Sequence, residues 1–568
     1  MKRLATRAGL LAAVVGVTGC AGSFGGPGGG GQPMNGTGGA GGAVVPPTTG
    51  VTPPIDQLAA SCSATQLAPP LLRRLGAREY AATVQAAFAP LVDAGLDLTS
   101  LFSIGDDTLS KLRLSTDAAV LLVGNQTAKE VMATAEAVAG AVTAADRLPT
   151  LLPCASAAAD DGCATTFITS VGQSLFRRPL TSDERDRYLA NHRSVAGRSD
   201  FPTGLKWTLV AMLQSPAMLY RSEIGARQGT TYNLAPEEIA AALAYDFGGG
   251  PPSAALLARA TSGALADPQQ RTNEAKQLLL TPGGRQVLQQ FFRQWSLYSR
   301  VITETRDVGS FDFTVVRQGM LDETERFIDE VVVNRGGGVK DLLTAPVTVL
   351  NPTLAQYYGY GGGSDWAVAN RPATAGVGLL AQGSILAGNA HPDSSSPTLR
   401  GLLVYERLLC NQRPLPPPNV PRIDAVAAGV KTTRQRYEDA HAGSGACHIC
   451  HQNFDPIGFG FEHFDQTGRY RADESGLPID AAASVHAADG STLFAFDGLT
   501  DLAQKLASTA QVSSCLGGFA EAYVFGGGGG QSCLAAEQRQ SLVAGRLGLL
   551  EYVAALAASP NFVQRKAQ

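Results

Sequence analysis

The stretch Cys447-His448-Ile449-Cys450-His451 decides the fold of the C-terminal part of this 568-residue chain. Its order, C-x-x-C-H, is the attachment signature of a c-type haem. The two thiols lie about one helical turn apart, so both reach the vinyl groups of one porphyrin, and His451 supplies an axial nitrogen to the iron. The chain has 9 Cys and 7 His, so random placement would produce on the order of 0.002 such motifs. We therefore predict covalent haem c, with its iron, on Cys447, Cys450 and His451.

A zinc or disulfide site is the alternative for the same residues. Cys447, Cys450 and His451 can bind zinc together with His441 or Cys410. The chain would then be a binding or structural lipoprotein without redox activity. Zinc is spectroscopically silent, so colour separates the two interpretations.

The sixth iron ligand is not given by the motif. The chain contains one C-x-x-C-H, which argues against a di-haem peroxidase. No methionine follows Met320, so the downstream methionine of small cytochromes c is excluded. We favour His391 as the sixth ligand and keep His463 as a further candidate. The candidates for the sixth ligand are His391, His441, His463 and His486.

Residues 1–20 are typical of a bacterial lipoprotein signal, with a basic start and an apolar run too short to span a bilayer. Val17-Thr18-Gly19-Cys20 resembles the lipobox, in which lipid is attached to the cysteine. Residues 21–57 are rich in Gly and Pro and predict a flexible linker. No later run is long and apolar enough for a transmembrane helix. We expect a lipid anchor at Cys20 in the cell envelope, facing the periplasm or the surface, with the outer membrane favoured.

The remaining cysteines support an oxidising compartment. One cysteine for lipid and two for haem leave six of the nine, an even number. The expected disulfide pairs are Cys154 with Cys163, Cys515 with Cys533, and Cys62 with Cys410. The alternative for Cys62 and Cys410 is that both are free buried thiols.

Charge and composition limit the partners. A net charge of −4 with 17% charged residues provides no basic surface for nucleic acid. With 44% hydrophobic residues, a chain of this length buries more than one core. We expect a membrane contact through lipid and an unknown redox partner or small-molecule substrate, and no nucleic acid.

Apolar residues recur at helical spacing through most of the chain. This spacing predicts helices over Leu72–Phe88, Arg285–Tyr298 and Met320–Val333. A capping box is predicted at Thr181-Ser182-Asp183-Glu184. Pro236 suits the first position of a further helix. The predicted fold is mainly α, a multi-domain helical bundle with a C-terminal cytochrome-c-like haem-binding region. The predicted divisions are a signal (1–20), a linker (21–57), an N-terminal helical domain (58–150), a helical domain with a local disulfide (151–225), a helical domain (230–360), the haem domain (370–490) and a C-terminal helical domain (491–568).

Several stretches of the chain resemble a known family. They are LRRLGAREYAATV (72–84), LFRRPLTSDE (175–184), SSPTLRGLLVYERLLC (395–410) and, most strongly, HAGSGACHICHQNFDPIGFGFEHFDQTGRYR (441–471). The chain is similar to exported bacterial proteins built from consecutive domains of unknown function, numbered fifteen-eighty-seven, fifteen-ninety-five, fifteen-ninety-two, fifteen-eighty-eight and fifteen-eighty-five. The resemblance implies this domain order and a haem on C-x-x-C-H, and it leaves the reaction open. It also implies a Gly-Arg pair in the last domain, where this chain instead has Gly526–Gly530.

The predicted function is electron transfer by a lipid-anchored mono-haem c-type protein. A haem-dependent oxidoreductase acting on an organic substrate is a subclass of this hypothesis, because most of the chain precedes the motif and exceeds what electron carriage requires. The alternative is the non-redox lipoprotein with a zinc or disulfide site. A surface module for polysaccharide ranks last, because no aromatic platform for sugar is visible in the sequence.

Overall fold

The computed structural model describes residues 65–567, except 158, 362–364, 414–430, 442–445, 488–489 and 528–532. Helix accounts for 59% of the structure, beside small sheets of two or three strands. The expectation of a mainly α fold is therefore confirmed. The predicted signal and the whole predicted linker, with Cys20 and Cys62, lie outside the described residues.

The N-terminal helices pack around a hydrophobic cluster of their own, which includes Phe88, Val138, Phe167 and Leu209. These helices are α1 (Ala77–Ala87), α2 (Ala89–Asp93), α3 (Asn125–Val142), α4 (Leu148–Leu151), α5 (Asp161–Phe176), α6 (Ser182–Ala196), α7 (Phe201–Leu213) and α8 (Pro216–Leu219). The predicted capping box is present at α6, where Thr181 and Glu184 each accept a backbone N–H of the other.

The middle of the chain is a second run of helices. They are α9 (Pro236–Gly248), α10 (Ala254–Thr261), α11 (Pro268–Leu280), α12 (Pro282–Ser296), α13 (Phe313–Ile328), α14 (Val339–Thr344) and α15 (Pro352–Tyr358). Pro236 is the first residue of α9, as predicted. The apolar stripe of α12 is buried, with Phe291 and Trp295 in the core. One π-helical turn, Asp329–Asn334, extends α13.

The C-terminal part carries the predicted haem motif. Its helices are α16 (Gly383–Gly388), α17 (Pro397–Leu403), α18 (Thr433–His441), α19 (Ala446–His451), α20 (Asp455–Phe459), α21 (Gly498–Ser508), α22 (Ala510–Val524), α23 (Cys533–Val543) and α24 (Leu549–Ala555). A second π-helical turn, Val404–Leu408, follows α17 directly. Among the described residues, none of the helices combines the length and apolar character that crossing a membrane requires.

The strands form small antiparallel sheets between the helices. One of them joins the last described strand, Gln564–Lys566, to the hairpin of Ala226–Gln228 and Thr231–Asn233, so residues near 565 pair with the middle of the chain. The strands are β1 (Leu71–Arg74), β2 (Tyr220–Glu223), β3 (Ala226–Gln228), β4 (Thr231–Asn233), β5 (Val347–Leu350), β6 (Ala367–Asn370), β7 (Asp473–Glu474), β8 (Leu477–Pro478), β9 (Ala482–His486), β10 (Thr492–Asp497) and β11 (Gln564–Lys566).

The first strand corrects the predicted helix over Leu72–Phe88. Residues 71–74 pair with β2 instead, and the helix begins only at Ala77. The reason is tertiary: Arg73 and Arg74 are buried, and their guanidinium groups find carboxylates on other segments. The helical spacing of apolar residues carries no information about ion pairs between distant segments.

One large hydrophobic cluster extends from the middle helices to the C-terminus. It includes Phe247, Trp295, Phe327, Phe454 and Phe562. Side chains from the predicted 230–360, 370–490 and 491–568 divisions therefore share a single core in the described part of the chain. A smaller cluster around Met320 and Leu354 adjoins α13 and α15.

Two disulfide bonds are formed between described cysteines. Cys154 and Cys163 are bonded, nine residues apart, as expected. Cys410 is bonded to Cys515, 105 residues away. The expected pairings of Cys515 with Cys533 and of Cys62 with Cys410 are therefore wrong. Spacing favoured the cysteine near in sequence, whereas packing of α22 against the π-helical turn after α17 brings Cys515 to Cys410.

Candidate functional site

The C-x-x-C-H motif forms the short helix α19. Cys447 and Cys450 are free thiols and half-buried, so both are available for attachment. His451 is the last residue of the helix. The three residues predicted to hold haem thus lie on one six-residue helix, with the two cysteines three residues apart.

Asp455 holds the imidazole of His451. Its Oδ2 lies 3.0 Å from His451 Nδ1 and 2.6 Å from Nδ1 of the buried His441. Its Oδ1 accepts a hydrogen bond from the hydroxyl of Thr398, at 2.6 Å. One carboxylate therefore connects the last residues of α18 and α19 to α17. We call His441, His451, Asp455 and Thr398 the Asp455 cluster.

The carboxylate of Asp455 is stabilised in its ionised form. Burial alone would raise its pKa, but the hydrogen bonds from His441 and His451 outweigh this effect and lower the pKa of Asp455 below its usual value. An ionised carboxylate accepts hydrogen bonds, so each imidazole donates its Nδ1–H to it. This leaves Nε2 of each ring as the nitrogen with a free lone pair, the one that can bind a metal ion.

His441 carries the second such nitrogen. Its side chain is 6% exposed, and its Nε2 has no hydrogen-bond partner among the described residues. The rings of His441 and His451 are 3.6 Å apart between centroids and tilted by 36°. This is a direct ring contact, and no porphyrin fits between the two rings in this arrangement.

Two glycines set the distance between α17 and α20. A Cβ atom at Gly401 would lie 1.8 Å from the carbonyl oxygen of Phe454, and one at Gly458 would lie 1.9 Å from that of Pro397. Any larger residue would force the two backbones apart. This close crossing is what places Thr398 beside Asp455.

The buried Arg400 binds the backbone of the segment that follows the C-x-x-C-H motif. Arg400 is fully buried and donates to the carbonyl oxygens of Leu386, Phe461, Phe464 and Asp465, at 2.7–3.1 Å. Burial lowers its pKa to about 10, so it keeps its charge at neutral pH. Because Arg400 is on α17, it fixes the segment after α20 to the same helix that carries Thr398.

The aromatic residues near the motif separate into two groups. Phe454 lies against the ring of His451, at 5.1 Å between centroids, and Tyr405 packs against Phe454, at 6.1 Å. Phe459 and Phe461 are buried in the protein core, and Phe459 lies under the guanidinium of Arg434. Phe454 therefore packs directly on the Asp455 cluster.

The other candidate histidines lie apart from His451. His391 is exposed, and its Nε2 is 3.3 Å from the hydroxyl of Tyr437. His463 is engaged through Nδ1 with the carbonyl oxygen of Arg471, at 3.1 Å, and stacks on a tyrosine. His486 is on β9. Of the four sequence candidates, the structure brings only His441 into contact with His451.

The disulfide of Cys410 excludes the form of the zinc site in which Cys410 is the fourth ligand. Cys410 is bonded to Cys515 and cannot ligate a metal as a thiolate. His441, the other proposed fourth ligand, is in place. The ligand atoms of His441, His451 and Asp455 all lie within 4.8 Å of one another, a spacing compatible with one metal ion.

Sequence reasoning missed Asp455 as a functional residue. Asp455 lies outside the C-x-x-C-H signature on which the predicted site was based. The available signal was its position four residues after His451, the spacing at which two side chains meet on a helical segment. Thr398 carried no such signal, since it is 53 residues before His451 and reaches it only through folding.

The donor set is suited to haem c. Two free thiols on one helical turn, followed by an imidazole whose Nδ1 is held by a carboxylate, offer two sulfurs for thioether bonds and one nitrogen for iron. Nε2 of the buried His441, which has no partner among the described residues, offers a second nitrogen donor beside the same helix.

Three stretches of the chain match models of families of unknown function, one after another. Residues 163–223 match PSD5, Protein of unknown function (DUF1595), and residues 234–360 match PSD4, Protein of unknown function (DUF1592). Residues 376–474, which contain the motif, match PSCyt3, Protein of unknown function (DUF1588). No match was found among curated proteins or among solved structures. The tandem resemblance to these three families is confirmed, and the resemblance to the other two stays a prediction.

Proposed function

We propose that the chain is a mono-haem c-type protein that transfers single electrons in the cell envelope, anchored by lipid at Cys20. The observation that carries the proposal is the arrangement on α19 of two free thiols and an imidazole held by Asp455. Supporting it, the name PSCyt3 hints at a cytochrome-like domain, although the function of that family is unknown.

Each residue of the site has a distinct part in this proposal. Cys447 and Cys450 form thioether bonds to the porphyrin, and His451 Nε2 binds the iron. Asp455 orients His451 and donates electron density to it through the Nδ1 hydrogen bond. Phe454 covers one side of that ring and limits water access to it. The bound haem supplies a one-electron couple between ferric and ferrous iron.

His441 replaces His391 as our proposed sixth ligand. His441 is buried beside His451 and its Nε2 has no partner among the described residues, whereas His391 is exposed and engaged with Tyr437. Ligation through His441 requires its contact with the ring of His451 to open when haem is attached. If His441 stays in place, the sixth position is open, which favours the haem-dependent oxidoreductase subclass.

The second candidate function is a metal-binding lipoprotein without redox activity. The three ligand atoms of His441, His451 and Asp455, all within 4.8 Å of one another, favour it. The thiol of Cys447 or Cys450 would complete a tetrahedral zinc site. This candidate and the haem protein use the same imidazole, so they exclude each other.

The test is covalent haem staining on the chain exported in a host that makes c-type cytochromes. A denaturing gel stained for haem peroxidase activity, with a pyridine haemochrome spectrum, is expected to show haem in the wild type. The Cys447→Ala/Cys450→Ala variant is expected to show none. The Cys154→Ala/Cys163→Ala variant, which removes a disulfide elsewhere, is the control and should retain the stain.

The opposite result separates the two candidates. A colourless protein with stoichiometric zinc, lost in a His441→Ala variant, would overturn the haem proposal and support the metal site. A His441→Ala variant that keeps haem but changes from a low-spin to a high-spin spectrum would identify His441 as the sixth ligand.

A further inference from the structure

Four cysteines form two pairs that are in opposite oxidation states. Cys410 and Cys515 are joined by a disulfide, and we call them the long-range pair. Cys447 and Cys450 of C-x-x-C-H are free thiols, and we call them the motif pair. Haem attachment needs the motif pair as thiols, although the compartment proposed for the chain is an oxidising one. The oxidation state of the motif pair therefore decides whether haem can be attached.

The helix α19 opposes a disulfide within the motif pair. Side chains three residues apart on a helix have Cβ atoms about 5–6 Å apart, whereas a disulfide needs about 3.5–4.5 Å. A bond between Cys447 and Cys450 would therefore distort the helix Ala446–His451. A strained disulfide is reduced more easily than an unstrained one, so this bond would be the weaker of the two.

Packing favours the disulfide of the long-range pair. Its two Cα atoms are 5.6 Å apart, within the ordinary range for a disulfide. Cys515 is 1% exposed on α22, and its Sγ lies 3.4 Å from the carbonyl oxygen of Arg407. Arg407 belongs to the π-helical turn that shortly precedes Cys410. Folding of the chain therefore brings the two sulfurs of the long-range pair together.

Tyr405 connects the surroundings of the two pairs. The backbone N–H of Asn411, next to Cys410, donates to the carbonyl oxygen of Tyr405 at 2.9 Å. Burial raises the pKa of Tyr405, and a charge on the sulfur of Cys450 raises it further, because that sulfur lies near the phenol. Cys410 and Cys450 are both partly buried against the same hydrophobic cluster. One cysteine of each pair is thus close to the same tyrosine.

The motif pair is the more accessible of the two to an external oxidant. Ile449, which lies between its two cysteines, is 63% exposed, and both motif thiols are half-buried. In the long-range pair, Cys515 is almost completely buried. Oxidation of the reduced chain therefore starts at the motif pair, where the disulfide is the less stable one.

We propose that the long-range pair is an internal dithiol that reduces an oxidised motif pair by thiol–disulfide exchange. The thiolate of Cys410 attacks Sγ of Cys450, and Cys447 leaves. Cys515 then attacks Cys410, closes the disulfide of the long-range pair and releases Cys450. Each departing thiolate takes up the proton that the attacking thiol lost, and two electrons pass to the motif pair. Its use in haem attachment rests on the proposed function, whereas the exchange itself needs no haem.

The test is a time course on the haem-free full chain, exported in a strain without haem-attachment enzymes. The reduced chain receives a substoichiometric amount of diamide, is quenched in acid at intervals, and each disulfide is quantified by peptide mass spectrometry. We expect the motif disulfide first and then its replacement by the long-range one, at a rate that dilution leaves unchanged. The Cys154→Ala/Cys163→Ala variant is the control and should behave like the wild type.

The Cys515→Ser variant interrupts the exchange after its first step. Oxidation should then remain on the motif pair or on a trapped bond between Cys410 and Cys450, and the release of both motif thiols should slow by about tenfold or more. A second measurement equilibrates the wild type in glutathione buffers. The motif disulfide should require a mixture about a hundredfold more oxidising than the long-range disulfide does.

Other results would overturn the proposal. A motif disulfide that persists in the wild type, or that disappears equally fast in Cys515→Ser, shows that the long-range pair does not reduce it. A rate that falls with dilution makes the transfer intermolecular, and equal midpoints in glutathione remove its driving force. Unfolding curves verify that the variants are folded. None of these measurements uses haem, so their failure is distinct from a failed haem stain.

Discussion

At the residue scale, Asp455 connects two histidines that are ten residues apart in the sequence. His441 and His451 both donate to its Oδ2, and Thr398 donates to its Oδ1. A carboxylate behind an iron or zinc ligand makes the imidazole a stronger donor. The chemistry proposed for His451 therefore depends on a residue outside the C-x-x-C-H motif.

Asp455→Asn tests this dependence. The amide is neutral, so His451 loses its charged acceptor and donates less electron density to iron. We expect haem to remain attached, the reduction potential to rise, and the free energy of unfolding to fall by about 1–3 kcal/mol. Redox titration and denaturant unfolding measure these effects. Asp439→Asn, at an exposed position on α18, is the control, and an unchanged potential in Asp455→Asn would contradict the role.

At the scale of elements, the crossing of α17 and α20 shapes the site. Gly401 and Gly458 allow the backbones to touch, and the four carbonyl bonds of Arg400 hold the following segment to α17. The contact of α20 with a helix that begins almost 60 residues earlier was not predictable from the sequence, because no local pattern encodes it.

Gly401→Ala tests the crossing. The added Cβ would lie 1.8 Å from the carbonyl oxygen of Phe454, so the helices must separate and move Thr398 away from Asp455. We expect a loss of about 1–3 kcal/mol or more in unfolding free energy, measured by denaturant titration. In the control, Gly105→Ala, the new Cβ has only ordinary contacts. Equal stability of the two variants would show that the crossing tolerates a larger residue.

At the scale of the whole molecule, the largest hydrophobic cluster and one long-range disulfide join the predicted 230–360, 370–490 and 491–568 divisions. The core contains residues from Leu114 to Phe562, and Cys410–Cys515 links the motif-bearing region to α22. The strand β11 returns to the β3–β4 hairpin. The C-terminal region is thus packed on the middle helices in the described part of the chain.

The two disulfides are expected to differ in their effect on stability. A bond that closes a longer loop removes more entropy from the unfolded chain, so Cys410–Cys515 should contribute about 4–5 kcal/mol and Cys154–Cys163 about 2–3 kcal/mol. Denaturant unfolding of the Cys410→Ala/Cys515→Ala and Cys154→Ala/Cys163→Ala variants compares them, each pair serving as the control for the other. A larger loss from the short loop would contradict this entropic account.

Local patterns in the sequence determined the helical class, the capping box at Thr181, the start of α9 at Pro236, and the thiols and imidazole of C-x-x-C-H. Each depends on residues a few positions apart, which interact before any tertiary contact forms. Only the tertiary structure decided that Leu71–Arg74 is a strand, that Cys515 pairs with Cys410, and that Asp455 joins His441 to His451. Those outcomes depend on contacts between segments distant in sequence, where packing and buried charge pairing outweigh local preference.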